Sequence, residues 1–251
     1  MSVNIYSVIL ASGKGERLPN RENLPKQFLS ILNDPILVMT LKQFLSIKRI
    51  KAHFIVVAKE WIDYTKSIFA PLKEKNSEIY IVEGSSDRQG SIIKGLEGIK
   101  DQFGIEKEDI VITHDAVRPF IFKEIIVRNI ESLIENKNLD GVNTVIPATD
   151  TIVVSKDHQV IDDIPPRDGL YRGQTPQTFK LEILYSILKE MSLEERLTLT
   201  DACKALLLRN KKVGLIYGSL LNIKITTPDE FNLARVLFGS FVERIDGTYY
   251  L

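Results

Sequence analysis

Cysteine is nearly missing from this sequence: Cys203 is the only one in 251 residues. A single thiol can neither close an intrachain disulfide nor supply a thiolate metal cluster. Histidine is almost as scarce, and His53, His114 and His158 are not at zinc-ligand spacing. Charge of one sign is missing too, since Lys plus Arg and Asp plus Glu stand at 33 each. A nonspecific nucleic-acid binder carries a basic surplus, so that class loses weight, and any cations needed for an anionic ligand must be gathered locally. No apolar run approaches the roughly 20 residues of a membrane span. The first residues also lack the basic start and long apolar core of a signal peptide. These absences predict a cytoplasmic protein in a reducing setting, with no membrane or nucleic-acid partner.

What is present is alternation. Short β-branched runs at Ile5–Leu10, Phe54–Val57, Ile79–Val82, Ile110–Thr113 and Gly141–Pro147 read as strands. Helical-period stretches separate them at Val38–Ile47, Trp61–Phe69, Ser91–Ile99 and Lys123–Glu135. This order predicts an α/β fold with a mainly parallel, helix-covered sheet in one domain spanning 1–251. Further on, helix is expected over Lys180–Met191 and Pro228–Phe238, with a late strand at Val213–Tyr217.

Residues 151–173 break the pattern. Two short β-like runs, Thr151–Val154 and Gln159–Ile161, flank a polar turn, and Pro165-Pro166 then bars regular helix or central strand. The segment reads as a projecting β-arm. An arm without its own core needs a neighbour to pack on, which predicts a homodimer.

The chemistry begins where the first strand ends. Small residues at Ala11, Ser12, Gly13 and Gly15 let backbone N–H groups approach phosphate oxygens, while Arg17 and Lys26 add positive charge. The loop is not the dinucleotide G-x-G-x-x-G, because Leu18 takes the last glycine position, which disfavours a nicotinamide-dependent dehydrogenase. Nor is it a P-loop. Asp115 follows a hydrophobic strand and should emerge at the same sheet edge, where a carboxylate suits Mg²⁺ bridging phosphates. His114 reads as a packing or hydrogen-bonding residue rather than a base, and Cys203 as a small buried hydrophobe.

The run Ala11-Ser12-Gly13-Lys14-Gly15-Glu16-Arg17 followed by Pro25-Lys26-Gln27 resembles the sugar- and polyol-phosphate cytidylyltransferases. The resemblance continues through Asp87–Ser91, His114–Pro119, Asp150-Thr151, Gly173–Gln177, Leu199–Lys204 and Asn222–Pro228, nearly the whole chain. It implies a Rossmann-like, GT-A-like nucleotidyltransferase fold and transfer of CMP from CTP to a polyol phosphate. It places Arg17, Lys26 and Lys224 on the triphosphate and its reacting α-phosphorus. It assigns CTP to Ala11, Ser12, Gly13, Gly15, Gly84, Ser85, Arg88, Ser91 and Asp115, with Asp115 also on Mg²⁺. On the acceptor side it implies Arg118, Asp150, Thr151, Arg167 and Thr175, with Thr151 and Arg167 completing the neighbouring subunit's site. Thr175 and Gln177 are expected to shape a loop beneath the site, and Asp201 to start a helix.

One departure from the pattern matters. Some members carry an aspartate just before Asn-Ile-Lys, where this chain has Leu220-Leu221, so no second magnesium ligand is expected from that side. Val117 and the runs 163–174 and 199–204 look closest to ribitol-5-phosphate cytidylyltransferases, with methylerythritol-phosphate enzymes as the alternative. A non-catalytic nucleotide-binding protein would be expected to lose Arg17, Lys26 or Lys224, and all three are present.

Overall fold

Seven residues, Ile5–Ala11, form β1, a buried strand near the middle of the sheet in a computed structural model that describes residues 3–13, 18, 24–75 and 78–244. A two-strand ribbon, β2 (Ser30–Ile31) and β3 (Asp34–Pro35), leads into helix α1 (Ile36–Leu45). Then come β4 (Ala52–Val57), α2 (Ile62–Phe69), β5 (Glu78–Glu83), α3 (Arg88–Phe103), β6 (Ile110–Asp115) and α4 (Lys123–Glu135). The remaining elements are β7 (Gly141–Pro147), β8 (Tyr171–Lys180), α5 (Leu181–Glu190), α6 (Leu193–Leu197), α7 (Ala202–Leu207), β9 (Val213–Tyr217) and α8 (Pro228–Arg244).

The sheet has seven strands in the order β5-β4-β1-β6-β8-β7-β9. β1 runs parallel to β4 and β6, β4 to β5 and β7 to β9, whereas β8 is antiparallel to both β6 and β7. The expected mixed, mainly parallel sheet is therefore present. Side-chain alternation along β1 explains why helices cover both faces. Ile5 and Ile9 pack with Leu37, Leu41 and Phe44 of α1 and with Ile126 and Ile130 of α4. Tyr6 and Val8 point the other way, to Ile92 and Leu96 of α3, Leu184 of α5 and Leu206 of α7. With both faces covered, the strands read as continuous apolar runs.

Two expectations need correction. Thr175 and Gln177 do not shape a loop; they lie within β8, a strand that was not anticipated. Its Pro176 is tolerated because the ladder jumps register there, from Asn143 opposite Gln177 to Val145 opposite Gly173. A missing N–H costs little where pairing is already interrupted. The two β-like runs of the arm do not form a ladder either. Only Val154 and Asp163 bridge, while Val153, Val160, Ile161 and Ile164 are all more than half exposed. Such a segment has no core of its own against which to order strands.

α6 was also not anticipated, and both α6 and α7 are too short to show a helical period. Each is fixed by a cap: Ser192 Oγ accepts from Glu195 N, and the Asp201 side chain accepts from Lys204 N. Asp201 thus starts a helix, as expected. Cys203 is buried, and burial pushes its thiol well above the ordinary value.

His53 on β4 is 2 % exposed and its Nδ1 lies 2.8 Å from Ser7 Oγ. Burial lowers its pKa from 6.5 to about 4, so the folded protein keeps it neutral where the unfolded chain would protonate it. Stability from this group is complete above pH 6.5 and drains away as pH falls towards 4, by on the order of 3 kcal/mol. Melting temperature should therefore fall across that window, and His53→Gln should flatten the fall. An unchanged slope in the variant would assign the acid sensitivity elsewhere.

Candidate active site

Parallel pairing aligns the carboxyl ends of β1, β4, β5 and β6. Leu10 lies opposite Asp115, Ala11 opposite Val57, and Val57 opposite Glu83. Ligands of open α/β sheets bind at that edge. Ala11, Ser12 and Gly13 leave the sheet there, and Gln27 Nε2 donates to Ala11 O (2.7 Å) and Gly13 O (3.0 Å). One buried carboxamide thus ties the start of the loop to its close. Its neighbour Lys26 is buried in a short 3-10 turn, Lys26–Phe28. Gly15 and Arg17 lie outside the described residues.

The second nucleotide segment meets the first directly. Ser12 Oγ and Ser91 Oγ are 2.8 Å apart, and Ser85 N donates to Ser91 Oγ at 3.0 Å. Gly84 is needed for this approach, since a Cβ there would stand 2.6 Å from Ser12 Cβ. Asp87 caps α3 by accepting from Gly90 N at 2.8 Å.

Asp115 forms the centre of the site. Its carboxylate is buried, with Arg88 Nη2 3.3 Å from Oδ1, and Arg118 Nε at 3.5 Å and Lys224 Nζ at 2.9 Å from Oδ2. Burial alone would raise its pKa, but Arg88, Lys224 and Arg118 outweigh it and hold the carboxyl far below its usual range. It is ionised at any working pH. Three cations around one carboxylate leave positive charge in excess, as an anionic ligand requires. Lys224, with 39 % of its side chain exposed against 11 % for Arg118, is the more readily redirected of the two on Oδ2.

The main chain around Asp115 is held on both sides. Asp115 N donates to Thr175 Oγ1 at 3.1 Å, and Ala116 N to Leu10 O at 3.0 Å. His114 is buried, and that burial lowers its pKa to about 4. Its Nε2 lies 3.1 Å from Arg118 O and must donate, because a carbonyl can only accept. It holds the turn carrying Arg118 and serves as a hydrogen-bonding residue.

Arg88, Asp115, Arg118, Thr175 and Lys224 are therefore brought together, as are Ser12, Gly84, Ser85 and Ser91. Arg88, at the start of α3, sits on the Asp115 carboxylate. Asp150, just before the arm, and Thr151 and Arg167 within it are exposed, and Arg167 Nη1 donates to Thr149 O at 2.8 Å. Among the described residues, the ion pairs of Asp115 do not include them. Val117 packs with Ile36, Phe120 and Ile225, so its side chain belongs to the core.

Residues without an assigned role also matter here. Gln27, Gln174 and Asn222 stood inside recognised motifs, but nothing in a linear reading marks a carboxamide as a brace. As for a metal, no group of three or more His, Cys, Asp or Glu is gathered among the described residues. One hard carboxylate fits a Mg²⁺ that arrives on phosphates and keeps waters, and does not fit a resident protein cage.

The family model for 2-C-methyl-D-erythritol 4-phosphate cytidylyltransferase matches residues 5–240. The chain belongs to that family. As a cytidylyltransferase it is a CTP-dependent nucleotidyltransferase. It is 41% identical over 233 residues to a ribitol-5-phosphate cytidylyltransferase of Lactiplantibacillus plantarum, covering 93% of this chain and 97% of that one. The fold matches 4-diphosphocytidyl-2C-methyl-D-erythritol synthase of Anaerococcus prevotii with TM-score 0.76 and 27% identity, over 94% of this chain and 96% of that one. The Francisella tularensis 2-C-methyl-D-erythritol 4-phosphate cytidylyltransferase superimposes with TM-score 0.77 at 24% identity, over 93% and 99% of the chains. No described helix is long and apolar enough to cross a membrane.

If Asp115 holds cations that phosphates later claim, Asp115→Asn should bind CTP without metal at least as tightly as the unaltered protein, while turnover falls. Calorimetry in EDTA checks this. Weaker CTP binding by the variant would mean that the carboxylate contacts the nucleotide itself.

Proposed function

We propose that this protein transfers CMP from CTP to D-ribitol 5-phosphate, giving CDP-ribitol and pyrophosphate. The observation that carries the reaction is the convergence of Arg88, Arg118 and Lys224 on one buried carboxylate at the end of β6. A phosphomonoester oxygen of the acceptor attacks the α-phosphorus, the bond to the β-phosphate oxygen breaks, and pyrophosphate leaves. The acceptor phosphate is already ionised, so no protein nucleophile is required. Catalysis then consists of aligning two anions and neutralising charge on a five-coordinate phosphorus.

The roles divide by position. Main-chain N–H groups of 11–13, with Gly15, cradle the triphosphate, and Arg17 and Lys26 offset its charge. Gly84, Ser85 and Ser91 take the nucleoside, with Arg88 reaching from the same segment to the reacting phosphate. Lys224 turns from Asp115 to the α-phosphate, and Arg118 with Thr175 faces the acceptor. Asp115 would hold Mg²⁺, whose chemistry is to neutralise phosphate oxygens in the triphosphate. The choice of ribitol phosphate is supported by the 41% identity to the Lactiplantibacillus plantarum enzyme. 2-C-methyl-D-erythritol 4-phosphate is the second reading, on the strength of the family model and the solved relatives. CDP-ribitol is the form in which ribitol phosphate enters teichoic-acid or capsule-like polymers. A cytoplasmic location suits an enzyme using CTP.

We also read residues 1–251 as one domain whose 151–173 arm packs on a second copy. The exposed Val153, Val160, Ile161 and Ile164 support this, since an isolated monomer leaves them in water. Asp150 then faces the acceptor, and Thr151 and Arg167 of the partner subunit complete each site.

Pyrophosphate release with CTP should be faster for ribitol 5-phosphate than for 2-C-methyl-D-erythritol 4-phosphate by about tenfold or more in kcat/KM, roughly 1.4 kcal/mol of transition-state binding. The reverse preference sinks the acceptor assignment. Lys224→Ala should lower kcat by about 10²- to 10³-fold, the usual loss of one charge-stabilising group. Arm exchange makes a separate prediction. Mixing Arg167→Ala and Lys224→Ala chains should restore activity, because a mixed dimer regains one intact site, whereas no recovery after subunit exchange would place Arg167 in its own chain's site.

A further inference from the structure

Two of the three cations on Asp115 reach it from a loop and a turn that have no regular secondary structure to hold them. Lys224 stands in the stretch between β9 and α8, and Arg118 in the turn after β6. Their placement converges on one residue. Asn222 is fully buried, and its Nδ2 donates to Thr175 O at 2.8 Å and to Gln174 Oε1 at 3.2 Å. Its main-chain carbonyl accepts from Arg118 Nη1 at 2.7 Å. Asn222 therefore joins β8, the Arg118 guanidinium and the chain two residues before Lys224.

The amide orientations follow from main-chain acceptors. The Thr175 carbonyl can only accept, so the atom facing it must be the Asn222 nitrogen. Gln174 Nε2 donates to Ser219 O at 2.8 Å, another carbonyl, which leaves Gln174 Oε1 to face Asn222. Gly218 makes room for this, since a Cβ there would collide with Gln174 Oε1. The cost is visible in Asn222 Oδ1, which is buried with no hydrogen-bond partner among the described residues. A buried acceptor left unmet costs free energy, and it persists where both N–H groups of the same amide are required elsewhere.

Beyond Lys224 the loop is held again. Ile225 N donates to Val117 O at 2.9 Å, and the Glu230 carboxylate accepts from the backbone N–H groups of Thr226 (2.7 Å) and Thr227 (2.8 Å). Lys224 is thus suspended between two anchors, Asn222 on one side and the Thr227–Glu230 helix cap on the other.

We infer that Asn222 is a positioning residue for CMP transfer, setting Arg118 and Lys224 against the reacting phosphate through its amide donors and its carbonyl. The inference rests on the proposed function for the reaction but not for the acceptor, and its assay uses whichever polyol phosphate the substrate panel identifies. A wrong acceptor and a failed clamp are then separate results.

In the full-length enzyme, Asn222→Ala should lower kcat by about 10- to 100-fold, the scale on which misplacement of about 1 Å acts. KM for CTP and for the acceptor should stay within about threefold, because transition-state contacts are lost more than ground-state ones. Asn222→Asp adds a signature that a merely structural role lacks. Its carboxylate faces two acceptors, and on protonation regains one O–H donor for Thr175 O. Its kcat relative to the unaltered enzyme should therefore rise as pH falls from about 8 to about 6. A folded Asn222→Ala enzyme with kcat within about twofold of the original, or with its loss confined to KM, overturns the inference. If that variant does not fold, Gln174→Ala decides instead: a smaller loss in kcat is expected, and an unchanged kcat overturns the inference.

Discussion

A buried carboxylate is costly unless cations compensate it, and Asp115 is compensated three times over. Arg88 comes from the first turn of α3, Arg118 from the turn after β6, and Lys224 from the loop before α8. The three cations come from separate parts of the chain, and the Arg118 turn and the Lys224 loop are further joined by Arg118 Nη1 on Asn222 O and by Ile225 N on Val117 O. Removing the central charge would leave three cations crowded at one sheet edge with nothing to offset them. The carboxylate thus holds the three cations in register at one sheet edge.

Such a site needs rigid walls, since catalysis by alignment loses its benefit when the aligning groups wander. The rigidity comes from carboxamides and carbonyls rather than from further charges. Gln27 closes the phosphate loop on Ala11 and Gly13, and Gln174 and Asn222 brace the loop that carries Lys224. His114, kept neutral by burial, fixes the Arg118 turn through its carbonyl. Neutral braces add no charge of their own, so the field of the site is set by the three cations and Asp115.

Much of this was legible in the linear chain. β1, β4, β5, β6 and β7 announce themselves as β-branched runs because both faces of a parallel sheet are covered. Ser12, Gly84, Ser91, Asp115 and Lys224 stand in motifs whose family order is informative. β8 was not legible, because Pro176 argues against a central strand and only the broken register beside Asn143 permits it. The arm strands failed for the opposite reason. Residues such as Val153 and Ile161 favour strand locally, but an exposed segment without a packing partner keeps only the Val154–Asp163 bridge. Val117 stands in one of those motifs, yet its side chain packs into the core with Ile36, Phe120 and Ile225.

The amino-acid sequence by itself determined that a glycine-rich loop leaves a buried strand, that cations recur in matching motifs, and that one acidic residue ends the fourth strand of the sheet. Those are local facts of composition and period, and local physics is enough to read them. Only the tertiary structure decided that Arg88, Arg118 and Lys224 share a single carboxylate and that Asn222 sets two of them. That pairing depends on an antiparallel β8 inserted beside β6, which brings Thr175 to the Asp115 main chain and offers its carbonyl to Asn222. Contacts between residues 27 to 109 positions apart arise from strand order, which no single stretch of the sequence contains.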